Sequence, residues 1–478
     1  MTLAAIAHVV AGRVEPPDAA DVAVSAPAAL DSRQLSHGGL FVALAGEHVD
    51  GHDFVAGALA RGAAASLVSR PVPGPQVIVD DVAIALGRLS RAVVDQLVLA
   101  GGLSVIGLTG SSGKTGTKDL LAQVLAVTGP TVAPTESLNN ELGVPLTALA
   151  ADESTRYLVL ELGARGVGHI AYLTETAPPR VGLVLNVGAA HVGEFGGQEA
   201  TARAKSELVR ALPSAASGGV AVLNADDPLV AAMSEVTDAR VVTFGRATGA
   251  DVRAEGVALD DEGRPRFDLV AQGARVPVAL SVYGEHQVSN ALGVAAVALE
   301  LGMDPATVAE ALGAARARSR WRMAVTHRAD GVTVVNDAYN ANPDSMRAGL
   351  TALAAMAGAD AGRRRTWAVL GEMLELGAAS GPEHEQVGRL ARRSGVDRLV
   401  VVGDGARGMH TAAVAEGAVE GEESVVVADA RAALDLLAAE VLPTDVVLVK
   451  ASRGVGLEAV AAGLLAGGVP VDAGEGTA

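Results

Sequence analysis

Residues 103–121 of this chain read LSVIGLTGSSGKTGTKDLL, and they contain its strongest structural signal. The apolar start predicts a buried parallel strand. A loop of small residues follows, and then a helical segment with apolar side chains on one face. A strand, a glycine-rich turn and a helix start form a phosphate cradle, because the loop N–H groups and the helix dipole point at the anion. The stretch therefore predicts a nucleotide site in an α/β sheet.

The loop is a short form of the P-loop. The strict pattern has glycine five residues before Gly113, where this chain has Leu108, and Gly110 gives the shorter form TGxxGKT. A chance Gly/Ser turn is the alternative, but a strand and a helix flank the loop as a phosphate site requires. Lys114 would supply a positive charge, and the Thr115 hydroxyl would bind Mg²⁺. The predicted nucleotide-binding residues of this loop are Thr109, Gly110, Ser111, Ser112, Gly113, Lys114 and Thr115.

The composition limits the class of protein. With 478 residues the chain is too long for one core, so about three domains are expected. A net charge of −18 argues against nucleic acid as a partner. The absence of cysteine excludes disulfides and fits the cytoplasm. Mean hydropathy is +0.33, but Gly, Pro and polar residues interrupt the long apolar stretches, and the first residues do not resemble a signal peptide. We expect a soluble cytoplasmic enzyme without membrane insertion.

Residues 1–100 predict a small α/β N-terminal domain. A strand is expected over 40–44, a turn and a helix after it, and a second strand over 65–68. Ser32 and Arg33 lie in a loop where a hydroxyl and a cation could meet a phosphate, although ordinary loop polarity explains them equally well.

Residues 101–318 predict a central domain built on the P-loop and a mainly parallel sheet. Predicted strands alternate with helices, and polar residues follow the strands at the edge where such sheets bind ligands. Glu161 ends the strand YLVLE, where it is either a solvated strand end or a Mg²⁺ ligand, and the P-loop favours the ligand. Taken alone, His191 would be a structural histidine and Lys205 a surface lysine. Residues 250–282 predict antiparallel strands at the sheet edge.

Further candidate residues lie at the start of a long helix near Asn290 and in the last third of the chain. Asn290 lies where it could contact a base or phosphate, with helix capping as the alternative. Residues 319–478 predict a third, Rossmann-like α/β domain without a phosphate loop, in which 469–478 form a frayed tail. Its strand ends carry NDAYNANPDSM (336–346) and LGEMLELG (370–377).

These motifs, taken in order, resemble the Mur ligase family over nearly the whole chain. The series is TGSSGKT, SLNNELGVPLT, LELG, NVGAAHVGEFG, AKSEL, NADDP, GEHQVSNAL, DAYNANPDSM and LGEMLELG. The pattern DSRQLSHGGLFVALAGEHVDGHDF is similar to the uridine-nucleotide domain of the two later ligases in that pathway. DAYNANPDSM resembles the loop of the member that adds D-alanyl-D-alanine, whereas the member adding diaminopimelate or lysine has a loop of the DNP type.

The resemblance implies a role for each matching residue. ATP and Mg²⁺ would be the cofactors, and Thr115, Glu161, His191 and Lys205, the last as a carbamate, would hold the metal. The implied catalytic residues are Lys114, Lys205, His191 and Asn342. Asn290 would contact the adenine side, and Asp337 would also bind the nucleotide. The implied substrate-binding residues are Ser32 and Arg33 for the uridine diphosphate, Asn139 and Asn140 for the growing peptide, and Tyr339 and Asn340 for the incoming substrate.

The implied activity is an ATP-dependent amide ligase that joins D-alanyl-D-alanine to UDP-N-acetylmuramoyl-tripeptide through an acyl phosphate. A monomer whose third domain closes over the substrates is expected. The preceding ligase of the pathway and a folylpolyglutamate synthase-like ligase are the nearest alternatives, and a regulatory P-loop ATPase is a more distant one. Gly116 and Gln287 depart from residues common in the family.

Overall fold

Three β-sheets organise the part of the chain that the computed structural model describes, namely residues 1–46, 49–188, 197–358 and 362–467. The sheets follow one another along the sequence and have five, nine and six strands. This three-sheet α/β architecture confirms the predicted fold class. None of the described helices has the length and apolar character needed to cross a membrane.

The first sheet has the strand order β1-β5-β4-β3-β2, and only β1 runs antiparallel to its neighbour. The strands are β1 Arg13–Glu15, β2 Ala28–Ala29, β3 Leu40–Val42, β4 Ala65–Val68 and β5 Gln76–Ile78. The helices around it are α1 Leu3–Val10, α2 Val55–Ala60 and α3 Val82–Leu99. Strand β3 is therefore two residues shorter than the strand predicted over 40–44. Helix α3 connects this unit to the next.

The second sheet has the order β14-β13-β12-β11-β10-β9-β6-β8-β7. Its strands are β6 Ser104–Thr109, β7 Thr131–Val132, β8 Tyr157–Glu161, β9 Val181–Val184, β10 Val220–Asn224, β11 Arg240–Gly245, β12 Val252–Leu259, β13 Pro265–Ala271 and β14 Ala274–Ala279. Strand β6 pairs with β8 on one side and β9 on the other. The strand order reverses there, so the P-loop follows the strand at the topological switch point.

The flanking helices of this unit are α4 Lys114–Ala126, α5 Gly143–Ala148, α6 His169–Thr176, α7 Gln198–Arg210, α8 Pro228–Ala231, α9 Gln287–Glu300 and α10 Pro305–Ala314. Strands β12, β13 and β14 form the predicted antiparallel edge. The sequence VGLVLNV over 181–187 predicts a longer strand, but β9 ends at Val184, because Asn186 turns toward the P-loop instead of continuing the ladder.

Helix α9 is buried on nearly every side and packs against α4, the helix that follows the P-loop. Eleven of its residues are buried, most of them alanine and valine. A helix that is apolar all round belongs inside a core. With so few aromatic residues in the chain, these small aliphatic side chains let α9 and α4 approach closely and place Asn290 beside the loop.

The third sheet has the order β15-β16-β20-β17-β18-β19 and is parallel except for β15. Its strands are β15 Ala324–His327, β16 Thr333–Asn336, β17 Thr366–Leu370, β18 Arg398–Val402, β19 Ser424–Val427 and β20 Val446–Lys450, and its helices are α11 Pro343–Ala357, α12 Ser380–Arg393, α13 Arg407–Ala415, α14 Ala430–Glu440 and α15 Glu458–Leu465. Strand β15 was not predicted, because its half-exposed edge position lacks an apolar run. The predicted tail 469–478 lies outside the described residues.

Helix α4 also holds the segment that leads into the third unit. Asp119 Oδ2 accepts a hydrogen bond from the Ser319 N–H at 2.8 Å, and its Oδ1 lies 2.6 Å from the buried Lys118 Nζ. Gln123 Nε2 donates to Arg316 O at 2.7 Å, and its Oε1 accepts from Arg316 N at 3.2 Å. The P-loop helix and the linker segment over 316–319 are therefore one structural piece.

Candidate active site

A cleft of about 680 Å³ opens between the second and third sheets. The P-loop and the loops after β8, β9 and β10 line it on one side, and the loops after β16 and β17 line it on the other. Helix α9 and the linker contribute the remaining wall. Of the predicted site residues, the cleft brings together Ser111, Ser112, Gly113, Lys114, Thr115, Asn139, Asn140, Glu161, Asn290, Asp337, Tyr339, Asn340 and Asn342.

The P-loop is fixed from behind by Asn186. Its Oδ1 accepts hydrogen bonds from Ser111 N at 2.9 Å and Ser112 N at 3.0 Å, while its Nδ2 donates to Ser112 O at 3.2 Å. Gly113 has φ +79, and a Cβ there would lie 2.6 Å from Asn290 Oδ1. Within residues 1–46, 49–188, 197–358 and 362–467, no side chain caps α4 at this end. The first N–H groups of a 13-residue helix thus point into the cleft, as an anion site needs.

Lys114 bends back over its own loop. Its Nζ donates a hydrogen bond to Gly110 O at 2.7 Å. Burial lowers the pKa of the Lys114 ammonium, the carboxylate of Glu161 raises it, and the Arg322 guanidinium lowers it. The negative charge of a bound phosphate would favour the charged form of Lys114. Lys114 is therefore placed to exchange a weak carbonyl partner for a phosphoryl oxygen.

Glu161 is a buried carboxylate with one oxygen unused. Its Oε1 accepts from Ser137 Oγ at 2.7 Å and from Asn139 Nδ2 at 2.8 Å. Its Oε2 is buried and has no hydrogen-bond partner among the described residues, and the residue is only 1% exposed. Leaving a carboxylate oxygen dry and unpaired is costly. The observation fits a bound cation with oxygen ligands, and Mg²⁺ prefers such ligands.

Arg322 connects the P-loop with the third unit. Its Nη2 donates to Thr115 Oγ1 at 3.3 Å, and its guanidinium lies 4.0 Å from the centre of the Tyr339 ring. Its Nε is buried, and in the part of the chain that the structure describes it has no hydrogen-bond partner. A guanidinium with an open donor at a P-loop is suited to a phosphoryl oxygen. No motif in the sequence marks Arg322 as a site residue.

Lys205 lies on α7 and is 4% exposed. Within the described part of the chain, its Nζ makes neither a hydrogen bond nor an ion pair. Burial, and then the charge of Lys114, hold the pKa of Lys205 well below its usual range. The earlier expectation for this residue taken alone, a surface lysine, is wrong. Burial thus disfavours the charged form of this amine, and the neutral form of an amine is the one that reacts with carbon dioxide.

Asn290 belongs to the interior of α9 and does not cap it. The N-cap is His286, and Asn290 Nδ2 instead donates to Gln287 Oε1 at 3.0 Å. The capping alternative is therefore wrong. Burial lowers the pKa of His286, the Asp337 carboxylate raises it and Lys450 lowers it, so this helix start also faces the third unit.

The loop after β16 is held by a buried ion pair. Lys450 Nζ lies 2.6 Å from Asp337 Oδ2 and donates to Asn340 O at 3.0 Å. Asp337 Oδ1 accepts from Met323 N at 3.0 Å. Burial lowers the pKa of Lys450, and Asp337 raises it. The ion pair thus orders the loop on the far wall of the cleft.

Several of the predicted site residues make hydrogen bonds that stabilise the fold. Asn342 caps α11, accepting from Ser345 N at 2.8 Å, and Asn140 Oδ1 accepts from Gly143 N at 2.8 Å. Asn139 supports Glu161, as described above. The fully buried Thr109 donates to Leu162 O at 2.8 Å. Their predicted contacts with ligands stay predictions.

Other predicted residues do not line this cleft. Gly110 supports Lys114 through its carbonyl oxygen, and Lys205 lies behind the lining. Arg33 is exposed and pairs with Asp31 at 2.9 Å, and Ser32 lies beside it in the first unit. His191 lies outside the described residues.

Lysine is rare in this chain, so each lysine is a candidate for a special role. The chain has lysine only at positions 114, 118, 205 and 450, with arginine supplying its other side-chain cations. Lys118, Lys205 and Lys450 are buried. Burying a lysine is costly unless a carboxylate, carbonyl or ligand receives it. Lys450, the single lysine at the end of β20, could therefore have been identified from the sequence as a candidate site residue.

Replacing Lys450 with methionine should lower stability by about 3 kcal/mol, because Asp337 would remain buried without its cation. Adding Asp337→Asn should restore most of this loss, since the remaining partners are neutral. Unfolding in denaturant, followed by tryptophan fluorescence, measures both changes. A double variant as unstable as the single one would contradict the assigned pairing.

Comparisons with known proteins agree with this geometry. Three family models match: Mur ligase middle domain over residues 108–298, Mur ligase, glutamate ligase domain over 321–453, and Mur ligase family, catalytic domain over 28–92. The chain is 52% identical to the UDP-N-acetylmuramoyl-tripeptide–D-alanyl-D-alanine ligase of Mycobacterium tuberculosis, with 98% of each chain covered.

Solved structures give the same result. The crystal structure of MurF from Acinetobacter baumannii is similar, with a TM-score of 0.85 and 32% identity over 97% of this chain and 98% of that one. MurF from Thermotoga maritima, solved in complex with ADP, gives a TM-score of 0.77 and 28% identity over 93% and 98% of the two chains.

Proposed function

The chain belongs to the Mur ligase family, and we propose that its central cleft performs the reaction of its relatives. It is an ATP-dependent ligase that joins D-alanyl-D-alanine to UDP-N-acetylmuramoyl-tripeptide in peptidoglycan precursor synthesis. The single observation that supports the cleft as the site is the arrangement of Lys114 and the unpaired Glu161 oxygen opposite the loop ordered by Asp337.

The chemistry follows from the substrates. A carboxylate is a poor electrophile, so the γ-phosphoryl group of ATP is transferred to it and an acyl phosphate forms. The amine of D-alanyl-D-alanine then attacks the carbonyl carbon, and phosphate leaves. Two anions must meet in the first step, so Lys114, Arg322 and the start of α4 lower their repulsion and orient them.

Glu161 and Thr115 are the described residues that would hold Mg²⁺, joined by the predicted His191 and Lys205. The fit rests on the unpaired Glu161 Oε2. Among the described residues no cluster of three or more histidine and carboxylate side chains forms a metal site by itself, so phosphate oxygens and the Lys205 carbamate would complete the shell. A bound Mg²⁺ would neutralise charge on the transferred phosphoryl group.

The burial of Lys205 and the lowering of its pKa support its assignment as a carbamate. Lys205→Met should lower kcat about 100-fold, because an oxygen ligand at the edge of the metal shell would be lost. NMR spectroscopy of the enzyme in ¹³C-bicarbonate measures the modification directly. We expect one carbamate signal that disappears in Lys205→Met. With so few lysines in the chain, a signal that persists in the variant would rule this assignment out.

The other walls of the cleft would hold the remaining substrates. Asn290, which lies beside Gly113, would face the nucleotide from α9, and Tyr339 and Asn340 of the Asp337 loop would contact the nucleotide and the dipeptide. Ser32 and Arg33 would serve the uridine diphosphate in the first unit, away from this cleft. Asn342 would act by setting the start of α11. We propose a cytoplasmic location, since ATP is a substrate, and a monomer, since the cleft is built from one chain.

The alternatives have weaker support. A solved ligase that adds diaminopimelate is 19% identical with a TM-score of 0.54, which indicates a shared fold alone. A folylpolyglutamate synthase-like activity leaves the first unit unexplained, and a regulatory ATPase leaves the third unit unexplained.

The test is a ligation assay with ATP and UDP-N-acetylmuramoyl-tripeptide that follows phosphate release. We expect release to depend on D-alanyl-D-alanine and not on diaminopimelate, lysine or glutamate. Phosphate release without any amino substrate would instead support the regulatory ATPase and overturn the proposal.

A further inference from the structure

The loop that follows β17, residues 371–376, contains a backbone outlier at the cleft. Glu375 has φ +65, a left-handed conformation that glycine adopts freely and other residues rarely adopt. Ala11 has a similar φ but ends helix α1, and Gln272 lies in the two-residue turn between β13 and β14. Left-handed residues are ordinary at helix ends and in such turns. Glu375 is in neither situation, so its strained backbone needs another explanation.

Ser452 holds this loop from the end of the neighbouring strand β20. Its N–H donates to Glu372 O at 3.0 Å, and its Oγ accepts from Leu374 N at 2.9 Å. The same hydroxyl donates to Ala341 O at 3.3 Å, in the loop after β16. Ser452 is buried. One serine therefore fixes the positions of three strand-end loops of the third sheet relative to one another.

His384 holds the loop from the other side, on helix α12. Its Nδ1 lies 2.6 Å from Ser380 O, and a carbonyl oxygen only accepts, so Nδ1 carries a proton. Its Nε2 accepts a hydrogen bond from Met373 N at 2.9 Å. The two contacts exist together only in the neutral imidazole with its proton on Nδ1. Both His384 and Met373 are buried, so the position of the loop is determined by partners in the core.

The loop brings one side chain to the cleft. Residues 371–376 are all among the described ones, and of these six Glu375 is the one that lines the cleft. The apolar Met373 and Leu376 on either side of it are buried. Strained residues that their surroundings hold in place are concentrated at functional sites. A ligand for the Glu375 carboxylate in the cleft would therefore account for the strain.

The charges of the reacting groups indicate which ligand this is. The phosphoryl group and the tripeptide carboxylate are anions, whereas the amino group of a dipeptide, with an ordinary pKa of about 7.7–8.0, is mostly an ammonium at neutral pH. Two other carboxylates of the third unit line the cleft, and both have contacts of their own. Asp337 pairs with Lys450, and Asp344 packs against Gly188 of the central unit.

We propose that Glu375 binds the ammonium of the incoming dipeptide, and that His384 and Ser452 are positioning residues that hold its backbone for this contact. The inference rests on the proposed function. A charge-assisted hydrogen bond would hold the amine on the wall opposite the P-loop, where the acyl phosphate forms. The left-handed backbone would be the conformation that points the carboxylate at this amine.

The experiment measures KM for D-alanyl-D-alanine by phosphate release at saturating ATP and UDP-N-acetylmuramoyl-tripeptide. Glu375→Gln keeps the shape of the side chain and removes its charge, so this KM should rise about tenfold or more, the size of one charged hydrogen bond. KM for ATP and for the tripeptide should change about twofold or less. Glu375→Asp should recover part of the loss and Glu375→Asn should not, since both suit a positive φ but only aspartate is an anion.

Glu375→Gly separates substrate binding from stability. Glycine relieves the backbone strain, so the melting temperature should equal or exceed that of the wild type. KM for the dipeptide should still rise as in Glu375→Gln. A protein that is more stable yet binds the dipeptide less well has not lost affinity by misfolding. A lower melting temperature in both variants would show that Glu375 supports the fold, and would overturn the inference.

The positioning role of His384 has its own test. His384→Ala should raise KM for the dipeptide about fivefold, because the Met373 N–H loses its acceptor. His384→Gln should restore most of the affinity, since an amide side chain can both donate and accept. Equal changes in all three KM values would indicate general damage to the third unit and would contradict the positioning role.

The matched control is Glu385→Gln, because Glu385 is an exposed glutamate on α12 that pairs with Arg389. It should leave every KM unchanged. An unchanged KM for the dipeptide in Glu375→Gln, or a rise found in Asp344→Asn instead, would overturn the inference while leaving the ligase activity established. A wild type whose phosphate release does not depend on D-alanyl-D-alanine would instead refute the proposed function itself.

Discussion

Lys114→Ala is expected to abolish phosphate release, with kcat falling at least about 1,000-fold. The ammonium lies over the loop at 2.7 Å from Gly110 O, and its counter-charge, Glu161, belongs to the same site. Without it, the phosphoryl group and the substrate carboxylate would approach each other with little to offset their repulsion. Stopped-flow or coupled-enzyme measurement of phosphate, at saturating ATP, gives the rate.

Binding of the uridine substrate provides the internal control for this variant. Calorimetric titration with UDP-N-acetylmuramoyl-tripeptide should give an affinity close to that of the wild type, because the uridine side is assigned to the first unit. The melting temperature should also stay close to that of the wild type. Turnover at a rate near that of the wild type would show that Lys114 does not act on the phosphoryl group.

Glu161→Gln should lower kcat by about 100- to 1,000-fold, since one charged group at the reacting centre is lost. The change keeps the shape of the side chain, and its amide oxygen can still accept from Ser137 and Asn139. The Mg²⁺ concentration for half-maximal activity should rise, because an anionic oxygen ligand has been replaced by a neutral group. Titrating activity against Mg²⁺ measures both effects.

Glu175→Gln is the matched control, because Glu175 is an exposed glutamate of the same unit. It should leave both kcat and the Mg²⁺ requirement unchanged. If Glu161→Gln lost activity but kept the wild-type Mg²⁺ requirement, Glu161 would be a structural carboxylate and not a metal ligand.

The sheets were predictable because their strands are apolar and end at polar or glycine residues. Parallel strands buried on both faces appear as continuous apolar runs. The sequence predicts such strands over 366–370, 398–402, 424–427 and 446–450, which are the bounds of β17, β18, β19 and β20. The half-exposed β15 has no such run and was missed. Asn186 shortened β9 through a side-chain contact with a loop far away in sequence, which no local pattern reveals.

The site was predictable where motifs hold neighbouring residues and unpredictable where it depends on long-range pairing. The P-loop, Glu161 and the DAYNANP loop are each contiguous motifs. Arg322 meets Thr115 across 207 residues, and Lys450 meets Asp337 across 113. The depressed pKa of Lys205 depends on burial that the amphipathic pattern of α7 does not reveal.

The hydrogen bonds between α4 and the linker segment over 316–319 determine where the chain can be cut to make a smaller fragment. A fragment that ended before Arg316 would leave Asp119 Oδ2 and Gln123 Oε1 without their partners in the linker, next to a buried ammonium. Such losses cost several kcal/mol, about half the stability of an average domain. An isolated nucleotide-binding fragment should therefore extend through Ser319, and any shorter fragment would report on a damaged P-loop helix.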